Sequence, residues 1–466
     1  MRRMSDLSPD FCSDLSDILE KYWRGYYSDA LAECKRSLAA HGDTFPAWEV
    51  AFIKAVREYL DTWDQDHAYL MIVTAASRLD SALTQQEPVV RFYHHMLCSW
   101  FCSQERANLA RLRDAYSHAE LGVTLLTDIN SEVWEKHAAS LEHYPFFPRQ
   151  WCIFWFRALT RHALFETNKA VGDFRRAHRV LIRRSEEAFH KAQNERGVVE
   201  SADNLEKDRS VSRLKRIRDY CAANEPLAGR FYSDMAMFLF DSGDKRTAKR
   251  ALELAVGQYT EAKFDSDGAA GPQPGSWSFG IDPCNPYVWS NLGFVLYSFK
   301  TEEEVFYSPA LDALTMAYEL ATRTRNPSES DCRVSGRIFY FLGAFAYRWQ
   351  NRQVDPYEAG AEAELEAKIE ALPARWRSIF RTKKGVHNIL GLAFNAYYCK
   401  AKDLSRALPA FIICCDPLAA LGNDDPLAKA TNNLLWEYSY GAPDFLFSHT
   451  MYQRLTDQYL LRGRIS

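Results

Sequence analysis

An all-α protein assembled from serial helix pairs is the fold class this sequence predicts. Stretches of roughly 12–20 residues with apolar side chains at helical spacing follow one another along the whole chain. Period-two alternation bounded by hairpin turns is nearly absent. Small residues recur among bulky apolar neighbours at spacings that place them on one helix face, where two backbones would lie close together.

Taken in order, "SDLSDILEKYWRGYYSDALAECKRSLAAHGD" reads as two helices, with a turn at Arg24–Gly25 and a stop at Gly42. "PAWEVAFIKAVREYLDTW" follows, and Pro46 suits a first helical turn. The polar stretch Lys191–Asp208 reads as a helix–helix connection or a link. A boundary is expected near Asn224–Pro226, dividing an N-terminal region, 1–225, from a C-terminal one, 226–466. Glycine and proline then concentrate in "KFDSDGAAGPQPGSWSFGIDPCNP", so a long loop insertion is expected over 263–286.

The small-residue pattern is sharpest at Tyr232-x2-Met235-Ala236-x2-Leu239, then Gly243, then Ala248-x3-Leu252-x2-Ala255. A first helix would turn at Gly243 and return as a second, with Ala236, Ala248 and Ala255 at the close approach. Met235, Leu239 and Leu252 would fill the remaining space. Related sets are Trp289-x2-Leu292-Gly293-x2-Leu296 with Ala310-x3-Leu314-x2-Ala317, and Phe339-x2-Leu342-Gly343-x2-Ala346. Leu390-Gly391-x2-Phe394 with Ala407-x3-Phe411-x2-Cys414 makes another. The N-terminal half matches less fully, through Gly25 with Ala30-x3-Cys34-x2-Ser37, and Trp48 with Ala68-x3-Ile72-x2-Ala75.

These spacings resemble the tetratricopeptide repeat, a helix–turn–helix of ~34 residues. The resemblance implies an α-solenoid with irregular N-terminal helix pairs, whose first helices line a concave groove. It implies that the residues beside the motif positions face that groove: Arg230, Ser233, Met237 and Phe240, then Tyr287, Ser290, Phe294 and Tyr297. Further units would add Arg337, Tyr340 and Tyr347, then Asn388 and Asn395. This lining is aromatic and neutral with two arginines. It lacks the Lys/Asn-rich clamp with which family members grip a chaperone's terminal carboxylate. A helix or extended segment of another protein is the expected partner, in a multi-component complex, with the chain as adaptor or regulatory subunit.

Other function classes leave weaker marks. The phosphate-loop, dinucleotide-fold, zinc-protease and serine-hydrolase motifs are all missing, as are Cys-x2-Cys pairs, so a non-catalytic role and no cofactor are expected. "HHMLCSWFC" places His94, His95, Cys98 and Cys102 on one helix face, and His94 with Cys98 forms a weak metal candidate for a cryptic metal-dependent enzyme. Cysteine is equally at home as a small core residue. "DSDG" at Asp265–Gly268 lacks the remaining ligands of a calcium loop. Trp277 and Phe279 in the Gly/Pro-rich loop would either dock onto the helices or be offered to a partner.

Residues 149–250 hold 22 lysines and arginines against 14 acidic residues, although the whole chain carries a formal charge of −4. Arg175, Arg176, Arg179 and Arg183 fall on one face opposite Phe174, Ala177 and Leu181, and Arg213 and Arg216 follow. The segment 175–218 thus suits a nucleic-acid or nucleotide sensor, and equally the solvated face of ordinary amphipathic helices. The start "MRRMSDLSPDF" has no apolar core of a secretory signal, and no apolar run has the length of a membrane span. Eleven cysteines without framework spacing suggest reduced thiols, hence a cytoplasmic protein away from membranes.

Overall fold

The computed structural model describes residues 7–62, 64–83, 88–104, 108–130, 132–134, 140–196, 209–260, 276–299, 307–322, 338–339, 341–343, 345–346, 349–350, 359–372, 374–382 and 389. Helix accounts for 81% of them, which makes the fold all-α. The chain divides into two compact units, Met1–Val295 and Leu296–Ser466.

The first unit is a succession of helix pairs. Helix α1 (Pro9–Trp23) shows why such segments coil: the Ser8 hydroxyl accepts from the Phe11 N–H, Pro9 opens the helix, and Asp10 and Lys21 complement its dipole. Its apolar face buries Phe11, Leu15, Ile18 and Leu19. Helix α2 (Tyr27–His41) packs back on it, and α3 (Ala47–Thr62) with α4 (Gln65–Leu83), then α5 (Pro88–Cys102) with α6 (Leu109–Asp128), repeat the pairing. Then come α7 (Cys152–Ala163) with α8 (Thr167–Arg196), α9 (Arg209–Asn224) packed on α8, and α10 (Leu227–Asp241) with α11 (Lys245–Val256).

Three of these hairpins share one turn. Gly25, Phe165 and Gly243 have φ of 81°, 63° and 90°, the left-handed conformation. In each, the N–H of that residue donates to the carbonyl three back, at 3.0 Å: Gly25 to Tyr22, Phe165 to His162, Gly243 to Phe240. The next N–H donates to the carbonyl five back: Tyr26 to Lys21, Glu166 to Arg161, Asp244 to Leu239. This pair of hydrogen bonds closes a helix end and aims the following helix. Counting from the left-handed residue, the fifth, ninth and twelfth positions are then buried in every case. They are Ala30, Cys34 and Ser37; Ala170, Phe174 and Ala177; and Ala248, Leu252 and Ala255. The expected fillers Met235 and Leu239 are only half-buried; Phe231 and Phe238 occupy the interior instead.

The interior of this unit is aromatic. The Trp23 ring lies 5.1 Å from that of Trp155 and 5.5 Å from Trp100, and Trp151 meets Phe231 at 5.3 Å, so α1, α5, α7 and α10 share one core. Two of its indoles find carboxylate partners, whereas the buried Nε1–H groups of Trp23 and Trp100 have none. Trp155 Nε1–H donates to Asp234 (3.2 Å), and Trp151 Nε1–H to Glu225 (3.0 Å), which also accepts from Arg184 (2.7 Å). Arg157, 3% exposed, grips Asp173 with two bonds of 2.9 and 2.6 Å. Arg161 joins the same carboxylate at 2.7 Å, and Glu120 accepts from both arginines.

The Gly/Pro-rich stretch is not wholly a loop. Two short strands, β1 (Gly257–Thr260) and β2 (Ser276–Phe279), pair antiparallel, with Gly257 opposite Phe279. The residues between them lie outside those described. The chain then runs back over the end of α11, where the N–H groups of Gly280, Ile281 and Asp282 satisfy the carbonyls of Val256, Leu254 and Ala255. A side chain at Gly280 would strike that backbone within 3 Å, so only glycine fits. Asp282 accepts from Arg24 Nε at 3.2 Å, and Asn285 donates to the Trp23 carbonyl at 3.1 Å, tying this return to the first hairpin turn. Helix α12 (Pro286–Tyr297) follows.

The two compact units divide after Val295, and Glu225, at the expected boundary of 225/226, is buried and accepts from Trp151 and Arg184. In the second unit, α13 (Tyr307–Thr322) buries Ala310, Leu314 and Ala317 as the spacing predicts. Lys368 of α14 (Ala359–Ala371) pairs with Asp312 at 2.7 Å, and Phe380 of α15 (Ala374–Arg381) meets Phe345. The repeat sets beginning at Leu390 and Ala407 lie outside the described residues.

Replacing Asp173 by alanine strands the Arg157 guanidinium in a dry interior with only the half-exposed Glu120 beside it. The expected loss is about 3–5 kcal/mol, read as a lower denaturant midpoint with an unchanged slope. A loss under about 1 kcal/mol would mean that the cluster is solvated.

Candidate functional site

The groove set of the α10–α11 unit and its neighbour can be traced side chain by side chain. Arg230 lies over the Tyr287 ring at 3.8 Å, and its Nε is 3.3 Å from Asp234. One turn on, Ser233 is fully buried and accepts from Asn291 Nδ2 at 2.8 Å. Further along, the Phe240 and Phe294 rings meet edge to face at 5.3 Å. These three rungs run in order along both helices, so α10 and α12 lie side by side and much of the expected lining is used to join them. Ser290 is also fully buried and bonds its own helix at the Tyr287 carbonyl. Met237, Phe240 and Phe294 remain half-exposed. The side chain of Tyr297, and Arg337, Tyr340, Tyr347, Asn388 and Asn395, lie outside those described.

The metal candidate resolves into a hydrogen-bonded histidine cluster. Cys98 Sγ lies 3.8 Å from His94 Nε2, within one helix. His95 turns instead to α6, where its Nδ1 is 2.9 Å from His118 Nδ1, and His118 Nε2 is 3.0 Å from the Tyr69 hydroxyl. Among the described residues no group of three or more histidine, cysteine or acidic side chains is placed to hold a metal ion. Burial, and then the neighbouring imidazoles, push His94 down to about 4 and His95 to about 3, and burial lowers His118 as well. Burial likewise raises the thiol of Cys98, so it packs as a protonated core residue.

The basic segment stands as its periodicity predicts. Arg175, Arg176, Arg179 and Arg183 are exposed on α8, while Phe174, Ala177 and Leu181 are buried on the other side. Arg213 is exposed and pairs with Glu186 at 3.0 Å; Arg216 lies half-buried, 4.6 Å over the Phe189 ring. Of the two loop aromatics, Trp277 docks edge to face against Trp289 and Tyr259, whereas Phe279 is exposed.

Phe165 has no counterpart among the expectations. It occupies the left-handed turn position that Gly25 and Gly243 hold elsewhere, and it is 93% exposed. A bulky side chain is strained in that conformation and gains nothing from packing there. The signal that finds it is indirect: Ala170-x3-Phe174-x2-Ala177 begins five residues later, as Ala248-x3-Leu252-x2-Ala255 does after Gly243. A search for glycine at the turn passes over it. No protein-family model and no curated protein matches the chain. No described helix is long and apolar enough to cross a membrane.

The histidine cluster sets a pH dependence. A histidine held below its unfolded value stays neutral in the fold while the unfolded chain takes up a proton, so its stabilisation is full above about pH 6.5 and falls as pH drops toward 4. Each such group contributes a slope of up to ~1.4 kcal/mol per pH unit. Buried Glu49, raised to about 8, works oppositely, because its stabilising protonated form is lost as pH rises. His118→Gln keeps a partner for Tyr69 and His95 but removes one titrating group. Its denaturation midpoint should therefore fall less steeply between pH 6.5 and 5 than the parent's; identical slopes would place His118 in water.

Proposed function

We propose that this chain is a non-catalytic protein-binding scaffold, a cytoplasmic helical-repeat subunit of tetratricopeptide type that presents hairpin turns and helix faces to another protein. Support for the repeat comes from three hairpins with the same left-handed turn and the same buried positions after it. Six buried and one exposed free cysteine among the described residues fit a reducing compartment.

The observation that carries the binding role is Phe165. An aromatic held in a strained conformation, in full view of solvent, is costly twice over, and a turn of this kind is better served by glycine. Such a residue is best explained by what it meets. A partner that closes over the ring would gain a large apolar anchor on an already ordered backbone. The groove between α10 and α12 contributes less, since Arg230, Ser233 and Ser290 are engaged within the protein and only Met237, Phe240 and Phe294 offer surface.

Phe165→Gly separates the two roles. Relief of the left-handed strain should raise stability by about 1 kcal/mol, seen as a higher melting temperature. Affinity for co-purifying partners should fall by about 2 kcal/mol or more, the range of an interface anchor. A variant that is both more stable and equally well bound would remove Phe165 from the interface, and one that is less stable would show that the ring packs in the fold.

A further inference from the structure

The outer face of α8 holds four exposed arginines, three of them without an acidic partner among the described residues. Arg175, Arg176, Arg179 and Arg183 span about 12 Å along the helix at 1.5 Å per residue, and all are exposed. Among the described residues, no acidic side chain lies within ion-pair distance of Arg175, Arg176 or Arg179. The Arg179 Nε–H donates only to the carbonyl of Arg175, at 3.3 Å, and Arg183 shares a solvated pair with Glu187 at 3.4 Å. Arginines on the inner side are treated differently: Arg157 and Arg161 meet Asp173 and Glu120, and Arg184 meets Glu225. The fold therefore neutralises these enclosed guanidinium groups and, among the described residues, leaves Arg175, Arg176 and Arg179 without a carboxylate.

A second observation lies on the same face. Gly172, one turn before Arg175 and Arg176, stands exposed inside the helix, and a Cβ added there would meet nothing within 4 Å. Among the described residues nothing packs close enough to call for glycine, and its backbone freedom weakens a helix interior. What the missing side chain does provide is a shallow place where another backbone can come close beside the arginines. On neighbouring α9, Arg213, which pairs with Glu186 of α8 at 3.0 Å, and Leu214 and Lys215 are exposed.

We infer that this face of α8 docks an acidic, amphipathic segment of a protein partner, its carboxylates on the arginine row and an apolar side chain toward Leu214. The inference rests on the protein-binding reading above and names the chemistry of one partner. Planar guanidinium forks suit paired carboxylates and phosphates alike, so the choice between protein and nucleic acid turns on what accompanies them. Single-stranded nucleic acid also needs aromatic faces for its bases. Phe165 and Phe279 are the exposed large aromatics among the described residues, and neither belongs to α8. A long polyanion would in addition meet a chain of net charge −4, whereas a short segment feels only charges within about one Debye length.

The test uses the full chain and two labelled probes: a helical Glu/Leu/Ala peptide of about 16 residues and a single-stranded oligothymidylate of matching charge. Binding is followed by fluorescence anisotropy at about 50 and 200 mM salt. The peptide should bind the parent and weaken with salt. The double variant Arg175→Glu, Arg179→Glu should bind it at least about tenfold more weakly with an unchanged melting temperature. Gly172→Leu should weaken it about fivefold or more while melting no lower, a loss that a merely solvated face does not produce. Phe165→Gly should bind this peptide as the parent does, so the two readings fail separately. Equal peptide binding by parent and double variant, absence of binding by both, or tighter binding of the oligonucleotide than of the peptide would each overturn the assignment.

Discussion

One residue in the left-handed conformation at the end of a helix decides most of what surrounds it. At Gly25, Phe165 and Gly243 the positive φ lets two N–H groups reach back to carbonyls that the helix leaves open, and the chain reverses in three residues. With the reversal defined, the returning helix has no freedom of register. Its fifth and twelfth residues after the turn must lie against the first helix, so they are small, and the ninth fills the gap between them. The same constraint explains why Phe165 is conspicuous: its neighbours obey the register, and it bears the conformational cost that glycine avoids.

Inside the first unit, burial and charge neutralisation proceed together. Tryptophans of α1, α5 and the start of α7 supply large apolar area, and the indole donors of Trp151 and Trp155 are satisfied by carboxylates. Asp234 and Glu225 accept those donors, and each carboxylate is in turn held by an arginine, Arg230 or Arg184. Asp173 does the same service between Arg157 and Arg161. Removing any one carboxylate takes the main counter-charge from a largely buried arginine, which is why these acidic residues matter more to the fold than exposed ion pairs such as Arg183–Glu187.

The same economy bears on function. Side chains expected to face a groove are drawn into rungs between α10 and α12, since two first helices lying side by side bring Ser233 to Asn291 and Arg230 to Tyr287. The unsatisfied chemistry is found elsewhere, at a turn and on the outer face of α8. These positions share a physical character: each is ordered by the fold behind it and costs the fold something, through strain at Phe165 or helix weakening at Gly172.

The sequence by itself determined the helical class, the hairpins at Gly25 and Gly243, the burial of Ala30, Ala248 and Ala255, and the outward side of Arg175, Arg176, Arg179 and Arg183. These are local quantities, set by periodicity and by the residue that a turn tolerates. It did not disclose the α7–α8 turn, where Phe165 stands in for glycine, nor the strand pair β1–β2, whose second strand lies within the Gly/Pro-rich stretch and whose partners are far apart along the chain. The destination of each charged or polar group was equally hidden. Arg183 and Arg184 are neighbours of one type, yet one is solvated and the other is bound to Glu225, because α9 and α10 bring that carboxylate over one face of α8 alone. His95 likewise meets His118 across two helices. Such pairings depend on which elements come together in space, and only the tertiary structure decides that.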